Sequence, residues 1–554
     1  MRGVGAVAWV LALPAVFAGC GGRSHRLGTR DGEGGAGALA AAGGGIGAMS
    51  AGAGGRASAG ATSFGGLGGG EPGAGGAAAA NAMPGQEHPG GPLSGPSNAG
   101  HGGFAQGGAS GGGIGGDASG AGAPGNHCSE AVGTYSAPTR EHTWHFEGGD
   151  ATSAWSPSVL AVDEDVIVAA ASNDAATAGL SSFDRGITAE TFVMRLSHEG
   201  ERLWTRPLKA AGLPFEVVRT GDDVLVIAQN SPELAHPDST FVPKDVYIAK
   251  VGIDGTLRYE KTIAIDGGTW AYSLAVEPSG DFYVAGGLPS GDALLVKCDT
   301  DANVVWKKTY QGVGAAPFGL AALPSGDLVM TGEFADTLSF DGGTTVLHSL
   351  ATNPPLFSGF VARLTPDGNA VWSEVFGGGS YAQGFTVAAL PDDGFLLAGA
   401  NALDLELGGQ TTHGVPFVAT DTAPFPTQQS FIARLDGDGH ALWLTLPDDI
   451  LNGSTDSRGI ALATDGTSTA LLAGRSQSEK GPAYLRSFDL ATGATKQVLN
   501  GHSDTLLQST SVSLAPCGNV WVAGSFATNA QFQDDDTLSA SSYTGEYLLW
   551  LESE

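Results

Sequence analysis

Residues 359–379 read GFVARLTPDGNAVWSEVFGGG. Phe360, Ala362 and Leu364 alternate with Val361 and Arg363 at the period of two that marks a β-strand. Pro366, Asp367, Gly368 and Asn369 are turn residues, and residues 370–376 form a second β-rich run carrying Trp372. The stretch is therefore a hairpin. One hairpin is marginal in water, whereas a ring of them buries its faces against one another.

Variants of this unit recur along the C-terminal three quarters of the chain, as four kinds of strand. Small apolar runs of the first kind begin at Val159, Val217, Leu274, Leu320, Val387, Ile460 and Val512. A tight turn follows, seen in Pro278-Ser279-Gly280-Asp281 and Pro324-Ser325-Gly326-Asp327. The second kind is VIVAAA from Val166, VLVIAQ from Val224, FYVAGG from Phe282, LVMTGE from Leu328, FLLAGA from Phe395, ALLAGR from Ala470 and VWVAGS from Val520. Such continuous apolar runs suit strands buried on both faces. The third kind begins at Phe192, Tyr247, Leu294, Phe360, Phe431, Tyr484 and Tyr547. The fourth is marked by Trp204, Tyr259, Trp306, Trp372 and Trp443, with residues 496–499 as a degenerate copy.

The seventh fourth strand is missing after Leu551 and stands at the other end of the chain. There, residues 143–149, TWHFEGG, match Ala370-Val371-Trp372 through Phe376-Gly377-Gly378. A linear array gains nothing by splitting one unit between its ends, while a closed ring removes two exposed sheet edges. The expected fold is all-β: a seven-bladed β-propeller closed by an N-terminal strand. About 410 residues over seven units give roughly 59 per blade, which leaves room for loop insertions.

Ahead of the ring, Met1 and Arg2 precede an apolar run, residues 4–17, too short to span a bilayer, and then Ala18-Gly19-Cys20. This is the pattern of an export signal. Residues 21–126 are Gly, Ala and Ser with scattered Pro and cannot bury a core. A disordered tether of about 105 residues has an end-to-end span on the order of 50–60 Å. The Gly108-Ala109-Ser110-Gly111-Gly112 match to a nucleophile elbow has no strand or helix around it. The expected organisation is a signal peptide and lipidation segment at 1–20, a Gly/Ala/Ser-rich linker at 21–137 and the propeller at 138–554.

With 57 Asp and Glu against 26 Lys and Arg, the net charge of −31 repels phosphate backbones, and nucleic acid is excluded as a partner. The four cysteines, Cys20, Cys128, Cys298 and Cys517, form no CxxC pair, so no zinc or iron–sulfur site is expected. Export permits disulfides. Cys128 shortly precedes the closing strand and Cys517 lies in the first turn of the same blade, so a Cys128–Cys517 bond is expected, with Cys298 a lone thiol. Residues 299–303 and 436–439 resemble calcium loops, but both lack ligands and both fall in turns between third and fourth strands, where Asp, Asn and Gly serve the backbone. His142 and His145 alternate to opposite faces of the closing strand. No metal, no cofactor and no catalytic residue is assigned.

The unit GFVARLTPDGNAVW ending in FGG, together with Phe17-Ala18-Gly19-Cys20 and the glycine tether, resembles the SBBP-type seven-bladed propeller repeats of bacterial secreted lipoproteins, especially those of myxobacteria. Phe17 stands where a lipobox usually carries Leu. The resemblance implies cleavage before Cys20, a diacylglycerol on its thiol and a place in the cell envelope as an outer-membrane lipoprotein. Gly286-Gly287 resembles kelch repeats, and residues 488–493, FDLATG, resemble the repeat of quinone-dependent dehydrogenases in one blade.

Connections between second and third strands are long at residues 333–358 and 401–430, on adjacent blades, and insertions on a rigid ring are where binding commonly resides. Aligning the first strands puts Phe215, Tyr272, Phe318 and Phe385, with Arg458 and Thr510, at equivalent positions near the channel entrance on that face. The expected function is a non-enzymatic, monomeric, lipid-anchored binding or scaffold module. Its partner would be an extracellular or periplasmic protein or glycan, stacked on these rings and contacted by Arg458. The alternative is an exported lyase, hydrolase or quinone-dependent oxidoreductase with its site at the channel mouth, and a structural envelope component is a third.

Overall fold

The second-kind runs are strands buried from end to end: Phe282–Gly287, Leu328–Phe334 and Val520–Phe526 contain no exposed or half-exposed residue. That burial requires a sheet on either side of each strand, and the structure supplies it. The structure is a computed structural model and describes residues 140–147, 157–172, 190–211, 214–229, 245–351, 357–413, 428–447, 457–476, 483–503, 507–526, 529–532, 536–539 and 545–552.

Seven antiparallel sheets form the blades. Numbered in chain order, their innermost strands are Ser158–Val162, Pro214–Thr220, Trp270–Val276, Ala316–Ala322, Ala382–Ala389, Ser457–Thr464 and Leu507–Leu514. The opening hairpin forms the outer half of blade 4, Ser358–Leu364 with Ala370–Phe376, in the register Phe360↔Val375 and Arg363↔Trp372. In blade 7 the outermost strand is Arg140–Glu147. It pairs antiparallel with Gly545–Glu552, Trp144 opposite Leu548.

The ring is closed. Each innermost strand contacts the next, and Leu507–Leu514 contacts Ser158–Val162. Seven hydrophobic clusters fill seven junctions, one joining blade 7 to blade 1 through Trp521, Leu548, Val166 and Phe192. Side chains on the innermost strands carry hydrogen bonds from blade to blade. Ser158 Oγ accepts from Val217 N at 3.1 Å, Glu216 Oε2 from Leu274 N at 2.6 Å and Ser273 Oγ from Leu320 N at 3.1 Å. Ser511 Oγ accepts from Val159 N at 3.0 Å, across the junction between the chain's two ends.

The recurring Trp residues stitch the periphery. Trp204, Trp372 and Trp443 donate their indole N–H groups to Ile253 O, Gly437 O and Leu490 O, each in a turn of the following blade. The turn must come close: Gly493, at φ +72°, lies against the Trp443 ring, and a Cβ there would stand 2.6 Å from it. The residue before each of these Trp points outward, as Leu203, Val371 and Leu442 do at 50–53% exposure.

Both long connections of the sequence reading contain hairpins, Thr337–Leu338 with Leu347–His348 and Leu405–Leu407 with Gln410–Thr412. Each reaches back to the preceding blade, through the bridges Gly312↔Leu338 and Gly377↔Glu406. A third, Asn529–Phe532 with Asp536–Ser539, adds to the edge of blade 6 through Gly501↔Phe532 and makes that sheet six-stranded. Cys298 is a buried free thiol, pushed up to about 12 by burial, and Cys517 is disulfide-bonded. Cys20 and Cys128 lie outside the described residues.

A candidate binding site at the channel entrance

In six of the seven innermost strands the register slips at the same place. The slips fall between Pro214 and Glu216, Ala271 and Ser273, Pro317 and Gly319, Gly384 and Thr386, Gly459 and Ala461, and Ser509 and Ser511. A β-bulge re-aims the residue it inserts. The inserted residues are Phe215, Tyr272, Phe318, Phe385, Ile460 and Thr510.

The last five are half-buried while the residues on either side of them are buried. Solvent reaches the middle of an innermost strand only from the central channel, so these side chains face it. Tyr272 meets Phe318 edge-on with ring centres 5.0 Å apart, and Phe318 meets Phe385 at 5.7 Å. Blades 3, 4 and 5 thus present one continuous aromatic arc.

Arg458 is not part of this arc. Its expected place belongs to Ile460, and Arg458 lies two residues earlier, 8% exposed, in the slot that Gln383 occupies in blade 5. The sequence alignment slipped because an inserted bulge residue is invisible in a run of small side chains.

Two residues before the bulge, the innermost strand pairs with the end of the second strand: Trp270↔Gly287, Ala316↔Glu333, Gln383↔Ala400, Arg458↔Arg475 and Gln508↔Ser525. The end-of-strand position is held by small residues in blades 3, 5 and 7. Glu333 and Arg475 are therefore not demanded by the fold. Both are buried, at 5% and 1% exposure, where a charge is costly to place.

The Gln383 side-chain amide and the Tyr381 hydroxyl, the latter at 3.3 Å, both donate to Glu333 Oε2, and the Arg458 charge attracts the carboxylate. Burial nevertheless outweighs them and pushes the Glu333 carboxyl up to about 7. Burial first, and the Glu333 charge second, raise the phenol of Tyr272. On the far side, Arg475 Nη1 donates to Gln508 Oε1 at 3.1 Å and Gln508 Nε2 to Ser525 Oγ at 3.0 Å.

Tyr381 joins this polar arc to the long-loop face. Its ring meets Phe357 edge-on at 5.9 Å, Ala382 N donates to Phe357 O and Ala402 N to Tyr381 O. Sequence reading missed Glu333, Tyr381, Gln383 and Arg475. Comparing the seven second strands at their last position would have exposed two of them.

The acidic turns are occupied by their own backbone. Asp299 Oδ1 accepts from Asp301 N and Asn303 N at 3.0 and 2.8 Å, and Asp436 Oδ1 from Asp438 N and His440 N at 3.0 and 2.9 Å. Their carboxylates hold the turns, as Asx residues do.

No protein-family model matches the chain, and no curated protein matches it. Among solved structures it is similar to a protein of unknown function from Bacteroides caccae, at 12% identity over 56% of this chain and 89% of that one, with a TM-score of 0.33. It is also similar to the β-propeller domain of the trilobed protease from Pyrococcus furiosus, at 10% identity over 70% and 98%, TM-score 0.35. A quinohemoprotein alcohol dehydrogenase from Comamonas testosteroni matches at 10% over 74% and 76%, TM-score 0.33. At these identities and scores the likeness assigns neither ligand nor reaction.

Proposed function

We propose that the protein is an exported cell-envelope binding module, anchored through a lipid on Cys20, whose ligand seats at the channel entrance on the aromatic arc of Tyr272, Phe318 and Phe385. The observation that carries this reading is the arc itself: three half-buried rings on consecutive blades, the middle one touching both others, at bulges that turn them toward the channel. Rings buried for stability alone would lie between the sheets. Flat apolar faces of this kind stack on a sugar ring or on another flat ligand. A glycan suits an envelope location, and the acidic surface suits an exposed, soluble domain.

Replacing Tyr272 and Phe318 by Ala is expected to weaken glycan binding by about 1–3 kcal/mol per ring, read by calorimetric titration, with the thermal unfolding transition retained. Unchanged affinity in the double variant would contradict the assignment. The enzymatic alternative has one observation in its favour, a carboxyl held near neutrality beside the channel, as a general acid or base requires. Turnover of a bound glycan that Glu333→Gln abolishes would select it.

A further inference from the structure

Four observations converge on one carboxyl at the edge of the aromatic arc. Glu333 fills a position that Gly287 and Ala400 fill in the neighbouring blades, so the fold has no need of it. Both hydrogen-bond donors that fix it, Tyr381 and Gln383, bond the same oxygen, Oε2, and hold the carboxyl in one orientation. Gln383 itself is 2% exposed, and its Oε1 has no hydrogen-bond partner, which leaves an acceptor beside the carboxyl. Tyr272, the first ring of the arc, is close enough for the Glu333 charge to act on its phenol.

We infer that Glu333 is the polar anchor of the entrance, hydrogen-bonding a hydroxyl of an uncharged sugar ring stacked on Tyr272 and Phe318. This rests on the binding reading above and adds the contact that would select a hydroxyl-bearing ligand over a merely flat one. A sugar hydroxyl both donates and accepts, matching a carboxyl that can do the same when protonated.

Seating a ring over the carboxyl removes its remaining exposure, which favours the neutral form further. Among the described residues, the charged and titratable groups facing Glu333 are Arg458 from blade 6, Tyr272 from blade 3 and Tyr381 from the connection into blade 5. Burial raises the Tyr272 phenol far above neutrality and the Glu333 carboxyl to about 7, so Glu333 is the group that changes state around pH 7. Affinity therefore falls as pH rises through neutrality.

Cellotetraose is a suitable probe because it carries no charge, so any pH dependence belongs to the protein. Calorimetric titration of the full chain is expected to give binding about five- to tenfold tighter at pH 5.5 than at 8.5, the factor for a carboxyl whose pKa rises by about one unit on binding. Glu333→Gln, which keeps a donor and an acceptor but no charge, is expected to bind equally at both values. Affinity independent of pH in the unaltered chain, or the same dependence in Glu333→Gln, would overturn the assignment of Glu333, and loss of binding in the Tyr272→Ala, Phe318→Ala double variant would show that the arc still stands. Binding that survives the double variant would overturn the arc as well, and so would no binding of cellotetraose in a chain with an intact thermal transition.

Discussion

At the scale of single residues, the informative positions are those that depart from the repeat. Where Gly or Ala suffices, Glu333 is a cost to the fold. Its carboxyl ordinarily titrates near 4.5, and burial raises it to about 7 in the folded chain. The folded state thus holds a proton that the unfolded state releases between those values, and stability is lost as pH rises from about 4.5 through 7. The loss amounts to at most about 3.5 kcal/mol, since each pKa unit corresponds to about 1.4 kcal/mol. Urea unfolding at pH 5 and pH 8 is expected to show Glu333→Gln losing less stability than the unaltered chain over that interval, and equal losses would contradict the burial argument. The three rings of the arc, Tyr272, Phe318 and Phe385, were legible in the sequence because a large ring at a fixed offset stands out from a run of Ala, Val and Leu. Arg458 was misplaced by two residues and Glu333 passed unremarked, because neither the bulge nor the pairing across blades leaves a local signature.

At the scale of elements, the blades are joined by a repeated latch. In blade 4, Arg363 donates through Nε to Asp327 at 2.8 Å, through Nη1 to Gly437 O at 2.9 Å and through Nη2 to Asp393 at 3.0 Å, the last two in blade 5. Arg434 repeats the pattern toward Leu490 O in blade 6, and Arg195 toward Ile253 O in blade 2. A planar fork meets three acceptors at once, and an ammonium cannot. Arg363→Lys is therefore expected to destabilise the domain by about 1–3 kcal/mol, measured by the urea midpoint, because acceptors in a partly buried junction lose their donor. A change below about 0.5 kcal/mol would reduce the latch to a surface ion pair. The turns and the paired long loops were readable from Asp, Gly and Pro spacing. The hairpin Asn529–Phe532 with Asp536–Ser539 was not, since its short polar strands read as loop until the edge of blade 6 gives them a partner.

At the scale of the whole molecule, closure turns seven marginal sheets into one domain. The sequence disclosed this globally, through a fourth strand absent at one end and present at the other, even though no single blade announces a ring. Closure gives the innermost strands a channel to face, and only then do the bulged rings become a candidate site. The place of Glu333 escaped sequence reading for the same reason: Tyr272, Glu333 and Gln383 come from blades 3, 4 and 5, which only the ring brings together. The most direct measurement is amide hydrogen exchange along Gly545–Glu552, in the unaltered chain and in a Trp144→Pro, His145→Pro variant that removes ladder donors from the closing strand and leaves Cys128 in place. A closed ring requires slow exchange on this strand in the unaltered chain. In the variant, the amides that pair with residues 140–147 are expected to exchange at least about 100-fold faster, with aggregation through the bared edge. Equal protection of residues 545–552 in the two proteins would contradict closure by the N-terminal strand, and with it the channel entrance on which the proposed site depends.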